Sequence, residues 1–200
     1  EHVRGLSITA DPSLAAASAQ LRDALVRAGD ALESESFKRL LSPLAKNLLQ
    51  QAFDRAGADH GAIWLTDEDG EYLVPLFGRG ERADEFVGGK FRLPIGEGML
   101  SMVFATGQPI CENAVYENPG HNAELDRKLG VRTEAMIAIP LSFAGHQRGI
   151  VSCVHLSPAG SEGAGREFSG DDLTELELAT AATARLFDLA LIEGLLGWAE

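Results

Sequence analysis

The spacing of apolar positions divides the chain into three stretches. From Asp11 to about Gly57 the spacing is helical, and Asp11 followed by Pro12 has the form of a cap with proline in the first helical position. Leu14, Leu21, Leu25, Ala28 and Leu32 are separated by seven, four, three and four residues, a narrow seam suited to packing along another helix. The polar run at 33–36 offers a new cap at Ser34 or Ser36. After it, Phe37, Leu40, Leu41, Leu44, Leu48, Ala52 and Phe53 form a second, wider stripe, in which Pro43 predicts a kink.

The period changes at Asp59. HGAIWLT and EYLVPLF flank the turn sequence DEDG and read as a hairpin. A glycine-rich, charged loop follows from Gly78 to Gly89. FRLPIGEGM then reads as a short strand running into a glycine-hinged helix over about Gly98 to Thr106, stopped by Gly107. PICEN is a short strand, and YENPGHN is loop chemistry leading to a short helix near Ala123 to Leu129. EAMIAIPLSF and RGIVSCVHL form a second hairpin joined by AGHQ. Pro140, late in its strand, predicts an edge or a bulge because it cannot donate to a ladder.

The last stretch, after SPAGSEGAG, is a long helix capped by Ser169 or Asp171, with acids in its first turns where the helix dipole favours them. Leu186, Phe187, Leu189, Leu191, Ile192, Leu195 and Leu196 leave that helix no wide polar side. Such a helix needs cover on more than one face, so the sheet and a second partner are expected: either the N-terminal helices or another copy of the chain.

Composition narrows the function classes. The chain has 200 residues, 45% of them hydrophobic and 24% charged, which fits a folded domain with appendages and not a disordered or fibrous chain. The net charge of −13 repels phosphate backbones and anionic lipid alike, so neither nucleic acid nor a membrane is an expected partner. No apolar run is long enough for a bilayer, and the first residues do not read as a charged-then-apolar leader. Cys111 and Cys153 stand 42 residues apart, outside any CxxC or His-rich cluster, which points to a reduced, cytoplasmic setting without a zinc site. A chain beginning at Glu1 reads as a piece of something longer. The expected division is a helical extension over residues 1–35 and one domain over 36–200.

The element order is an α+β plan with an antiparallel sheet. Its details resemble the GAF family of small-molecule sensory domains. The resemblance lies in LPIGEGMLSMVFATGQPICEN, in LGVRTEAMIAIPL, and in GHQRGIVSCVHL with the later FSGDDL, over roughly residues 37 to 196. It implies a GAF-like, PAS-related fold. One sheet face would pack on the terminal helices, and the other would floor a pocket roofed by the 78–89 loop and the 113–130 segment. It also implies a regulatory, non-enzymatic role in bacterial-style signalling. A small-molecule ligand, not identified by sequence, would be sensed and the change relayed through dimerising helices to an output module.

The expected ligand-binding residues are Trp64, Phe91, His121, Arg132, Met136, Cys153 and His155. His121 in NPGHN can donate to an anionic ligand or bind a haem iron, against the plainer reading of a solvated loop histidine. Cys153 and His155 lie two apart and so share a sheet face. SCVHLSP resembles the corresponding strand of bilin-binding GAF domains, but Gly120 stands where those carry the attaching cysteine. Arg132 can clamp a carboxylate or phosphate, or pair with a nearby acid. Trp64, Phe91 and Met136 can line the pocket, or fill it in a ligand-free dimerisation module. PGHNAELD resembles the active-site loop of free-methionine-sulfoxide reductases. Leu100, Ala123, Glu124 and Leu125 stand where their thiols are expected, which weakens the redox reading.

Overall fold

The computed structural model describes residues 12–32, 34–81, 83–87, 91–161 and 165–197. Its N-terminal region is three helices, α1 (Pro12–Asp30), α2 (Ser34–Leu40) and α3 (Pro43–Arg55). Pro43 therefore starts a helix and does not kink one. It occupies the first turn of α3, where a missing N–H leaves no bond unmade, and Ala45 N donates to the Ser42 hydroxyl (3.2 Å) to cap that helix. The caps expected at Asp11 and at Ser34 or Ser36 rest on side chains outside the described residues.

Six strands follow: β1 (His60–Thr66), β2 (Tyr72–Arg79), β3 (Leu93–Pro94), β4 (Ile110–Glu112), β5 (Val131–Phe143) and β6 (His146–Pro158). They form one antiparallel sheet in the order β3-β2-β1-β6-β5-β4. Between them lie α4 (Ala83–Val87), α5 (Gly98–Thr106), a 3₁₀ turn at Val115–Glu117 and α6 (Glu124–Leu129). The chain ends in α7 (Gly170–Leu196).

Strand alternation sorts side chains into two cores on opposite faces of this sheet. Ile63, Leu65, Ile137, Ile139, Val151 and Cys153 join Leu49, Phe53, Phe187 and Leu191 beneath the α2, α3 and α7 layer. Ala62, Trp64, Met136, Ala138 and Ile150 join Met99, Leu100, Val103 and Val115 on the other side. Gly61 makes the first core possible, since a Cβ there would come within 2.3 Å of the Phe53 ring. Phe37, Phe143 and Phe187 close one end of that core, with ring centroids 5.2 to 5.8 Å apart.

Pro75 and Pro140, the prolines inside strands and not at their ends, sit where a missing donor is harmless. Pro140 lies past the end of β4, which pairs only with Met136–Ala138, and Pro75 lies past β3, which pairs only with Tyr72 and Leu73. The first hairpin turn is organised by Asp67, whose Oδ1 accepts from Glu71 N (2.9 Å) and Tyr72 N (3.0 Å).

The β5–β6 turn is a two-residue reversal at Ala144–Gly145, both with positive φ (50° and 80°). Ala144 is held there from outside the hairpin, because its N–H donates to Asp188 Oδ1 on α7 (2.6 Å). Arg148, just beyond, donates to Asp30 (2.9 Å) and to the Val26 carbonyl (3.4 Å), which fastens the end of α1 to the same tip. Gln147 donates to the Phe104 carbonyl of α5 (2.7 Å), so three helices converge on one turn.

Ser169 caps α7 through a reciprocal pair with Asp172, while Asp171 lies in the first turn. Leu176, Thr180, Thr183, Phe187 and Leu191 face the sheet. Within the single chain the far side stays open: Leu178 is 68% exposed, Leu189 51% and Leu196 46%. No described helix is long and apolar enough to cross a membrane. Replacing Asp188 by Ala removes a charged acceptor from a buried N–H, and urea denaturation is expected to show a loss of about 1.5–3 kcal/mol, with Asp188→Asn costing less.

Candidate functional site

The sheet face away from α7 floors a cavity of about 90 Å³. Ala62 and Trp64 of β1, Met136 of β5, and Ser152 and Val154 of β6 form its floor. Leu93, the first turn of α5 and the segment from His121 to Leu129 form its walls. The Trp64 indole is fixed on the floor because Nε1 donates to Ser152 Oγ (3.0 Å). Gly98 starts α5 at φ 80°, and a Cβ there would lie 3.2 Å from Asn122 Cβ. A glycine is thus needed both for the turn and for the close approach of the two walls. Glu97 precedes the helix without a side-chain bond that caps it, so its own carboxylate does not take up the first-turn N–H groups of α5.

The polar side of the cavity is built around Asp126. Its Oδ2 accepts from Thr133 N (2.8 Å) and lies 3.2 Å from His121 Nε2, and its Oδ1 accepts from Thr133 Oγ1 (2.7 Å). Burial opposes the charge on Asp126, but the bonds from His121 and Thr133 outweigh it and hold the carboxyl below its ordinary range. At the mouth, Asn122 donates to Glu97 Oε2 (3.4 Å). The site is therefore an apolar hollow with carboxylates, two histidines (His60, His121), an amide and two hydroxyls at its margins.

Of the residues expected from the sequence, the cavity brings together Trp64, His121 and Met136. Phe91 packs on the same core without lining the space. Arg132, Cys153 and His155 do not line it either. Odd and even positions of β6 face opposite ways, so Cys153 and His155 point to the α7 side while Ser152, Val154 and Leu156 point to the cavity.

Arg132 has the parity of Met136, but the register shift between Thr133 and Ala135 turns β5 over at that point. Thr133 and Val131 face the cavity instead. Arg132 lies over the Tyr116 ring (3.6 Å to the centroid), donates to the Ser161 carbonyl (2.7 Å) and stands 3.3 Å from Glu134. Its role is the acid pairing weighed against the anion clamp. The roof also differs from expectation: α5 and the 121–129 segment form it, while α4 and the described part of the 78–89 loop pack beside β2 and do not line the cavity.

His155 stacks on Phe168 (centroids 4.0 Å apart, planes within 14°) with Asp59 Oδ2 3.9 Å away. Burial, with Arg166 adding repulsion, lowers its pKa against the pull of Asp59 and Asp172. Burial likewise pushes the Cys153 thiol up to about 12. Cys111 and Cys153 flank Ile137 on neighbouring strands. Two strand spacings, about 9.6 Å, exceed the reach of about 7 Å that a disulfide allows.

A sequence profile of the GAF domain matches residues 41–188, and the chain belongs to that family. Members are typically regulatory or sensory parts of signalling proteins. The fold is similar to that of the GAF domain of a phosphoenolpyruvate-protein phosphotransferase from Coxiella burnetii (17% identity, TM-score 0.58, 90% of this chain and 95% of that one). It is also similar to the second GAF domain of DevS from Mycobacterium smegmatis (17%, 0.56, 74% and 94%). A third similar structure is free methionine-R-sulfoxide reductase from Neisseria meningitidis, solved with its substrate (20%, 0.53, 93% and 96%). At these identities the likeness is one of fold.

His155 contributes to the pH dependence of stability with a definite sign. Its folded pKa is lowered, so the unfolded chain takes up the proton first as pH falls. The contribution is complete above the ordinary value of about 6.5 and is lost as pH drops through the folded value. Chemical denaturation from pH 8 to 5 is expected to show a flatter profile for His155→Phe than for the parent.

Proposed function

We infer that this chain is a regulatory GAF domain that binds a small molecule in the cavity and relays its occupancy through α1 and α7. The observation that carries this reading is the cavity itself: a partly enclosed apolar space between sheet and roof, with hydrogen-bonded polar groups at one side. Its volume restricts the ligand. A dry cavity of about 150 Å³ accepts benzene, and drug-sized ligands occupy about 300–1,000 Å³. Haem or a bilin would require the roof to be rebuilt. The ligand is a compact group buried over Trp64, with any larger part outside.

The relay has a material path. The α5 wall is tied to β6 through Gln147, and the turn that follows β5 is tied to α7 through Asp188 and to α1 through Arg148. On α7, Leu178, Ala182, Arg185, Leu189, Ile192 and Leu196 recur at alternating intervals of four and three along the face turned from the sheet. That repeat is the seam of a two-helix coiled coil, and its occupant in this reading is the same seam of a second copy. The output lies in a further module. Two unpaired thiols accord with a cytoplasmic setting. Their position across the sheet from the cavity supports a binding role over thiol redox catalysis.

The small volume favours one rival, a dimerisation module whose cavity stays empty. Native mass spectrometry of the purified chain, with thermal shifts over a metabolite library, separates the two. A co-purifying small molecule, or a melting temperature raised by one metabolite class, is expected; no response throughout would leave the scaffold. Leu189→Glu combined with Ile192→Glu is expected to turn a dimer into a monomer by sedimentation velocity at unchanged melting behaviour of the domain, and an unaltered profile would remove the helix relay.

A further inference from the structure

We propose that the cavity selects a small primary amine: a compact branched hydrocarbon with one ammonium group. This rests on the ligand-binding reading above and adds the chemical class. Among the described residues that line the cavity there is no lysine and no arginine, whereas Glu97 and Asp126 both do so. Arg127 lines the outer vestibule beside His121 and Asn122 and acts on Glu124 of its own helix.

Asp126 is held in its charged form by three hydrogen bonds, and a carboxylate offers about four acceptor sites, so one acceptor position on Oδ1 remains. Glu97 carries a second carboxylate at the mouth, where Asn122 donates to it over a long contact (3.4 Å). The opposing influence is the uncapped start of α5, worth about half a positive charge. Two full negative charges outweigh it.

The apolar part of the cavity suits the other end of such a molecule. Trp64, Leu100 and Met136 offer hydrocarbon contact, and an indole also attracts a cation that reaches its face. A volume of about 90 Å³ admits a few carbon atoms and excludes a nucleoside. Carboxylic acids and phosphate esters of the same size would meet like charge at the mouth and find no lysine or arginine among the described residues that line the space.

Three probes of one shape isolate the charge: isopentylamine, isopentanol and isovalerate. Titrations followed by saturation-transfer NMR at pH 8 keep the amine protonated, since alkyl ammonium groups titrate near 10.4, and lie above the ordinary imidazole range. The amine is expected to bind about tenfold more tightly than the alcohol, as a charge-assisted contact allows, and the carboxylate more weakly than either. Raising the ionic strength and Glu97→Gln should each shrink the preference of amine over alcohol. Asp126→Asn serves as a second variant only if it melts like the parent, because Asp126 also ties Thr133 and His121 together.

Equal binding of amine and alcohol, or tightest binding of isovalerate, would overturn the amine assignment while leaving a working small-molecule site. Absence of binding by all three would overturn it too. The sensor reading would then be decided by the metabolite screen alone, so the two failures are distinguishable.

Discussion

Burial of both faces of β1, β5 and β6 is the constraint from which the rest of the molecule follows. A strand covered on one side can slip toward water; in the central parts of these three, successive side chains belong alternately to two packed layers, so a slip of one residue would exchange the layers. The helical layer and the cavity layer share the same backbone, so the floor of the site is the ceiling of the main core. The cavity lies in the second of these layers, bordered by Trp64, which is bonded to Ser152, and by the glycine-hinged start of α5.

The register shift at Glu134 shows how much chemistry one irregularity can redirect. Without it, Arg132 would share the face of Met136 and place a guanidinium in the cavity. With it, Thr133 faces inward, its N–H and hydroxyl both engage Asp126, and the cationic residue is moved to the far side beside Tyr116 and Glu134. The electrostatic character of the site is therefore set by backbone geometry as much as by residue choice.

Much of the architecture is legible in the residues. Both hairpins, the glycine-hinged helix and the long final helix follow from period and turn chemistry, and Gly107 and Ser169 end and begin helices as their types require. The family resemblance covers nearly the same span as the profile match. The site was only partly legible, for two physical reasons. Alternation shows that Cys153 and His155 share a face but does not say which layer that face meets. A bulge, which has no sequence signature in VRTEAM, reversed the parity of Arg132. Asp126 and Ser152 carry no signal in the sequence, because a lone acid on a short helix and a lone hydroxyl on a strand are ordinary until their partners are known. Pro43 starts a helix where a kink is expected, because a proline within an apolar stripe marks a kink and a fresh start equally well, and only the Ser42 cap separates them.

The reversal at Ala144–Gly145 carries a practical lesson about where this domain tolerates engineering. Hairpin tips are ordinarily the permissive points of a β protein, open to inserted peptides and new termini. Here the tip is wedged among three helices, with Val26 near enough to Gly145 that a Cβ there would come within 2.8 Å, and with Asp188 and Arg148 fastened to it. An epitope or a fused reporter placed at that corner would pry the terminal helices off the body. The corner at Glu68–Gly70, solvent-facing and closed by Asp67, which also accepts from Arg92, is the place to graft one.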